Sequence, residues 1–175
     1  MKTILKPALI LTVLCLVVTA AVAGVNLLTR DAIAAADKAA AEAGMAALIP
    51  NETFTPLTGS DLESAEAYQA KSGFVFVASC NGYGGPVKVM TAVDNAGAVI
   101  GVTVLNCDDE TPGLGQNAKK AAFTDQFKGK SGSVELTKKG GEIAAVTSAT
   151  YTSTAVKECV NAALRDYQKC KGGAQ

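Results

Sequence analysis

The 175-residue sequence contains no histidine and no tryptophan. Without histidine there can be no Ser-His-Asp triad, no Cys-His dyad and no zinc or haem site built on imidazole. No Cys-x-x-Cys pair is present, which argues against iron–sulfur and zinc-thiolate centres. Charge of one sign is also missing, because 16 basic and 16 acidic side chains cancel. A neutral chain without a Lys/Arg-rich run has no general field for attracting nucleic acid. No 20–50-residue repeat occurs, nor any long low-complexity linker. The length suits one ordinary domain with an appendage.

What is present is unevenly distributed. From Pro7 to Thr29 the chain carries no charge, with Lys2 and Lys6 before the run and Arg30-Asp31 after it. About 20 apolar residues cross a bilayer core of roughly 30 Å. The flanking lysines put the N-terminus in the cytoplasm and the remainder outside. The alternative is a cleaved signal peptide, since Ala21-Val22-Ala23 has the A-x-A form. The apolar run continues past it through Val25, Leu27 and Leu28, which favours a retained anchor. Both readings export the C-terminal part. Charge order is the second asymmetry. Residues 31–110 hold 11 acids and 3 bases, whereas residues 111–175 hold 5 acids and 10 bases. The plain explanation is a solvated surface with complementary halves. The sharper one is a basic half that neutralises an anionic ligand.

The periodicities predict an α+β domain with a mainly antiparallel sheet and flanking helices behind a single transmembrane helix. The expected divisions are an anchor over 1–30, a helical and loop connector over 31–72, and a domain over 73–175. Residues 31–48 are Ala-rich and continue the helix, which Gly44 weakens and Pro50 ends. Residues 51–72 read as loop with a short helix. Strands are expected at Gly73–Ser79, Val87–Asp94 and Ala98–Leu105, the last two joined as a hairpin through Asn95-Ala96-Gly97. A short helix around Ala118–Phe127 and a further strand at Ser133–Thr137 follow. The final helix is expected at Ser153–Lys169, burying Val156, Val160, Ala163, Leu164 and Tyr167.

Two stretches carry the chemistry. Thr147–Thr154 packs six Ser/Thr hydroxyls into eight positions just ahead of an amphipathic helix. One hydroxyl is enough to cap a helix. Several, with free backbone N–H groups and the positive helix end, can make a phosphate site. Asn106–Asn117, NCDDETPGLGQN, is shaped by Pro112, Gly113 and Gly115. Its formal G-x-G-x-x-A match lacks the strand entry and βαβ units of a dinucleotide fold. Asp108, Asp109 and Glu110 lack the spacing of a calcium loop. Among the cysteines, Cys80 and Cys107 both follow strands and form the preferred disulfide pair. Cys159 and Cys170 lie about 16 Å apart along one helix and cannot bond while it is intact.

These residues carry a family likeness over nearly the whole chain. The anchor, Gly82-Tyr83-Gly84-Gly85-Pro86, Gly97–Leu105, Glu110-Thr111-Pro112-Gly113-Leu114-Gly115 and Thr147-Ser148-Ala149-Thr150 with Thr152-Ser153 resemble RnfG, the G component of the Rnf electron-transport complex. More distantly they resemble the C component of the sodium-pumping NADH:quinone reductase. The last string is similar to the family's S/T-G-A-T flavinylation motif. The resemblance implies an FMN-binding domain in which Thr150 carries FMN through a phosphoester bond, installed by a flavin transferase. It places Thr147, Ser148, Ala149, Thr152, Ser153, Glu110, Thr111, Gly113 and Leu114 around the cofactor, Lys157 at its phosphate, and Tyr83 with Leu114 near its ring. It implies an electron-transfer component of an ion-translocating oxidoreductase at the cell membrane, passing electrons between ferredoxin and NAD. Its partners are then the other integral-membrane and redox subunits of that complex. The family commonly has Gly where this chain has Ser148. It also commonly has an acidic residue where this chain has Ala144, with Glu142 two residues earlier. Two other readings stay open on the residues alone: a stand-alone extracytoplasmic FMN-binding reductase, and a non-redox anchored module that binds a small anion.

Overall fold

The computed structural model describes residues 2–57 and 61–172. Residues 58–60 of the expected connector and 173–175 at the end of the expected domain lie outside the described residues. Helix α1 runs Lys2–Leu48. From Lys6 it is long and apolar enough to cross a membrane. Side chains such as Leu9, Leu16 and Leu28 stand exposed along it. Thr12 and Thr29 donate their hydroxyls to the carbonyls of Ala8 and Val25, so neither is left unpaired in this apolar stretch. The chain divides into two compact units, one up to Ala40 and one from Ala41 onward.

The second unit is built on a five-stranded antiparallel meander in the order β1 (Thr55–Leu57), β2 (Glu66–Gln69), β3 (Gly73–Asn81), β4 (Pro86–Asp94) and β5 (Val99–Asn106). The period of two sorts its side chains onto two faces. Val75, Val77, Met90 and Ala92 meet Ala41, Met45 and Ile49 from the last turns of α1. Phe76, Ala78, Val87 and Val89 face the long helix α3 (Thr150–Gly172). All five expected α3 positions, Val156, Val160, Ala163, Leu164 and Tyr167, are buried there. A valine or leucine side chain of this kind contributes about 1.5–3 kcal/mol by leaving water.

The β4–β5 hairpin turns on Asp94, whose carboxylate accepts the amides of Ala96 and Ala98 at 2.8 and 2.9 Å. Gly97 has φ +90°, and a Cβ there would press on the Tyr167 ring. Tyr167 closes the turn by donating its hydroxyl to the Asn95 carbonyl at 2.7 Å.

Four expectations need correction. Residues 51–72 supply β1, at the edge of the sheet, and β2 beside it, short strands without an apolar run. Ser133–Thr137 forms no ladder strand, because the buried amide of Asn161 takes its place. Asn161 accepts the Val134 N–H at 2.8 Å and donates to the Val134 carbonyl at 3.0 Å. The helix around Ala118–Phe127 is broken into 3₁₀ turns at Gly115–Lys119 and Asp125–Phe127, flanking a single α-turn, α2 (Ala121–Thr124). Cys80 and Cys107 are not bonded, and all five cysteines are free. Cys80 pairs with Val87, and Lys88 with Asn106. Cys80 on β3 and Cys107 just past the end of β5 therefore flank β4, with backbones two spacings or about 10 Å apart, beyond the roughly 7 Å between Cα atoms that a disulfide spans.

Candidate functional site

The site is assembled from three loops at one end of the sheet. The Gly82–Gly85 turn joins β3 to β4. The Cys107–Gly115 loop leaves β5. The Val146–Ala149 loop enters α3. Glu110 ties them together. Although it is 2% exposed, its carboxylate is fully engaged. One oxygen accepts the amides of Tyr83 and Gly84 at 2.8 and 3.0 Å, and the other accepts the Thr152 hydroxyl. A Cβ at Gly82 or Gly115 would fall on those oxygens, so both positions need glycine for close approach.

Around this anchor lies a cleft of about 320 Å³, lined by Tyr83, Glu110, Thr111, Leu114, Gly115, Ser148, Ala149, Thr150, Tyr151 and Thr152. That volume is at the lower end for small-molecule sites. Tyr83 and Tyr151 flank it as a tilted pair with ring centroids 6.1 Å apart. They are 74% and 72% exposed, and Leu114 is 41% exposed. The mouth is therefore apolar and aromatic while the floor is polar.

Thr150 is the first residue of α3, where the leading N–H groups have no intrahelical acceptor and the helix dipole is positive. Its hydroxyl accepts a hydrogen bond from the Lys138 ammonium at 3.2 Å. Lys138 sits on the 3₁₀ turn Thr137–Lys139. The loop ahead of α3 is fixed by Ser153. Its hydroxyl donates to the Ala149 carbonyl at 2.8 Å and accepts the Val146 amide at 2.9 Å. Ser148 adopts φ +60°, a left-handed conformation costing an L-residue about 1–2 kcal/mol. A glycine at this position would meet that demand without strain.

Of the residues singled out from sequence, the cleft gathers Tyr83, Glu110, Thr111, Leu114, Ser148, Ala149, Thr150 and Thr152. It does not gather Gly113, Thr147, Ser153 or Lys157. Gly113 shapes its loop with φ +75°. Thr147 lines a neighbouring hollow with Phe123 and Gln126. Ser153 is the loop staple. Lys157 is buried two turns along α3, bonded to Glu158 at 2.6 Å and Glu135 at 3.3 Å. Burial opposes its charge, but the two carboxylates more than offset this and hold its pKa above the usual lysine value. The cation at the Thr150 hydroxyl is Lys138 instead. Sequence reasoning missed it, and missed Tyr151. The basic doublet Lys138-Lys139 before Gly140-Gly141 was the available signal, but nothing local says that this turn folds back onto Thr150.

Residues 82–165 match the FMN-binding domain model, and residues 1–48 match the RnfG N-terminal region. The G component of the proton-translocating ferredoxin:NAD(+) oxidoreductase complex from Clostridium ljungdahlii is 34% identical, over 70% of this chain and 68% of that protein. The G component of the ion-translocating oxidoreductase complex from Shewanella loihica is 31% identical, over 93% and 89%. The chain belongs to the RnfG family. A Na(+)-translocating relative from Acetobacterium woodii is 37% identical, and the match spans 75% of this chain but 63% of that protein's length. Among solved structures, the C component of the Na(+)-translocating NADH-quinone reductase from Parabacteroides distasonis superposes with a TM-score of 0.51. It is 26% identical, over 59% of this chain and 61% of that one. The α+β fold expected from sequence is therefore that of an FMN-binding domain behind a candidate membrane span, and the cleft lies within the matched region.

Proposed function

We propose that this RnfG-family chain is a membrane-anchored flavoprotein that holds FMN covalently on Thr150 and relays electrons inside an ion-translocating ferredoxin:NAD oxidoreductase complex. The observation that carries the reading is the Thr150 hydroxyl at the start of α3, facing the cleft with the Lys138 ammonium 3.2 Å away. Thr150 would hold the FMN phosphoryl group as a phosphoester, its hydroxyl losing its proton and its oxygen replacing the nucleoside monophosphate that leaves when the pyrophosphate bond of a flavin dinucleotide breaks on a separate flavin transferase. Lys138 and the free N–H groups of the first helical turn then balance the phosphate charge. Tyr83, Tyr151 and Leu114 shelter the isoalloxazine, with Thr111 and Ser148 at the polar floor. The redox chemistry belongs to the bound flavin, and the chain supplies attachment and surroundings.

With α1 spanning the membrane and its N-terminal lysines on the cytoplasmic side, the domain lies outside. There a dissociable cofactor would be lost, and a covalent one is kept. The partners are the membrane and redox subunits of the same complex. Co-expression with a flavin transferase should give a band on a denaturing gel that fluoresces under ultraviolet light. Its intact mass should be raised by one FMN less one water. Thr150→Val should abolish both signals. A dark band, or a signal that survives Thr150→Val, overturns the assignment.

A further inference from the structure

Cys80 and Cys159 lie together in one core, and the flavin reading uses neither thiol. Cys80 lies at the end of β3 on the face that packs against α3, continuing the row Phe74, Phe76 and Ala78. Its cross-strand partner is Val87. Cys159 lies on the buried side of α3, and its Sγ is 3.8 Å from the Val87 carbonyl oxygen. Both side chains therefore address one rung of the sheet, that of Val87, from the same side. They are 79 positions apart in sequence, and one is half-buried while the other is fully buried.

We propose that Cys80 and Cys159 close into an intramolecular disulfide when the domain meets a small-molecule disulfide. The Cys80 thiolate attacks the small disulfide and expels one thiol, forming a mixed disulfide. Cys159 then loses its proton and attacks the Cys80 sulfur, expelling the second thiol. One disulfide is consumed, one is formed, and two small thiols are released. The order follows from the surroundings. The contact with Cys159 lowers the pKa of Cys80, whereas that same contact and burial raise that of Cys159. The attacking thiol is thus the more accessible and more readily ionised one. The consequence reaches the cleft. β3 ends in the Gly82–Gly85 turn and α3 begins at Thr150, so the bond would fasten two walls of the cleft to each other.

The full chain in detergent, treated with oxidised glutathione, acid-quenched, alkylated and digested, should yield one peptide linking Cys80 to Cys159. Its intact mass should be lower by two hydrogens, and Cys107 and Cys170 should be recovered alkylated. The thermal midpoint of the oxidised form should rise by about 10 °C over the reduced form. Cys80→Ser, at a half-buried position that tolerates the change, should fold and show no such rise. Recovery of Cys80 as a stable glutathione adduct with Cys159 alkylated overturns the proposal, as does linkage of Cys80 to another cysteine. Thr150→Val should form the same linkage, so a missing flavin band and a missing crosslink are separate failures.

Discussion

Two parts of the domain reach a fixed shape by different routes. Strands β3 and β4 pair without a break from Gly73↔Asp94 to Asn81↔Pro86, so backbone groups satisfy one another and side chains are left to fill the core. Between Cys107 and Ala149 no named strand occurs among the described residues, and the backbone must find other partners. Turn bonds between backbone groups supply many of them, and polar side chains supply others or tie the stretch to neighbouring loops. Glu110 holds the amides of Tyr83 and Gly84. Gln126 accepts the amide of Ala144 and donates to its carbonyl. Asn161 does the same for Val134. Regular pairing spreads stability over many equivalent bonds, while the irregular stretch concentrates it in a few polar anchors. That leaves loop backbone free to shape a cleft.

This contrast can be broken at chosen points. Glu110→Ala strips acceptors from two amides and a hydroxyl in a buried place and should cost about 3 kcal/mol in urea denaturation of the full chain. On the proposed reading it should also reduce the flavin attached at Thr150, read as the fluorescent band on a denaturing gel. Asn161→Ala leaves the Val134 N–H and carbonyl unpaired and should cost about 2 kcal/mol by the same measurement. A comparable polar change in the sheet should go the other way. The Thr91 hydroxyl is buried on β4 without a partner, so Thr91→Val should leave stability unchanged or raise it by about 1 kcal/mol. If Thr91→Val destabilised the chain as much as Asn161→Ala, the contrast would fail.

The smallest effect lies at the periphery. Bonds from Arg165 hold the Glu63 carboxyl at a pKa of about 2, below its ordinary 4.5. A depressed carboxylate stabilises the fold above its unfolded pKa, and that contribution is lost as pH falls from about 4.5 through about 2. Both side chains are 42–50% exposed, so screening keeps the effect below about 1 kcal/mol. The thermal midpoint should drop more steeply over that window in the parent chain than in Glu63→Gln.

The same contrast governs what could be read from residues. The β4–β5 hairpin was legible because Val87–Asp94, Asn95–Gly97 and Ala98–Leu105 carry their instructions locally. α3 was legible from its buried stripe, and the two loop motifs from their strings. β1 and β2 were not, since each is only three or four residues without an alternating apolar pattern, and its strand state depends on a neighbour already in place. Ser133–Thr137 looked like a strand because its composition suits one, but its partner is a side chain 27 positions away. Lys157 was misplaced for a geometric reason. Seven residues beyond Thr150 it returns to nearly the same side of the helix but lies about 10 Å farther along the axis, where Glu135 and Glu158 claim it. Lys138 and Tyr151 became visible only with the loops in position.

Glu110 also sets an order of events. Its bonds reach back 27 positions to Tyr83 and forward 42 to Thr152, so it cannot engage until the sheet has formed and α3 has docked on it. Contacts closing over such long chain separations come late in folding. On the proposed reading, an enzyme that modifies Thr150 would find its acceptor loop presented only on chains that have completed assembly. The attached flavin would then serve as a stamp of quality, marking finished copies and leaving misfolded ones colourless.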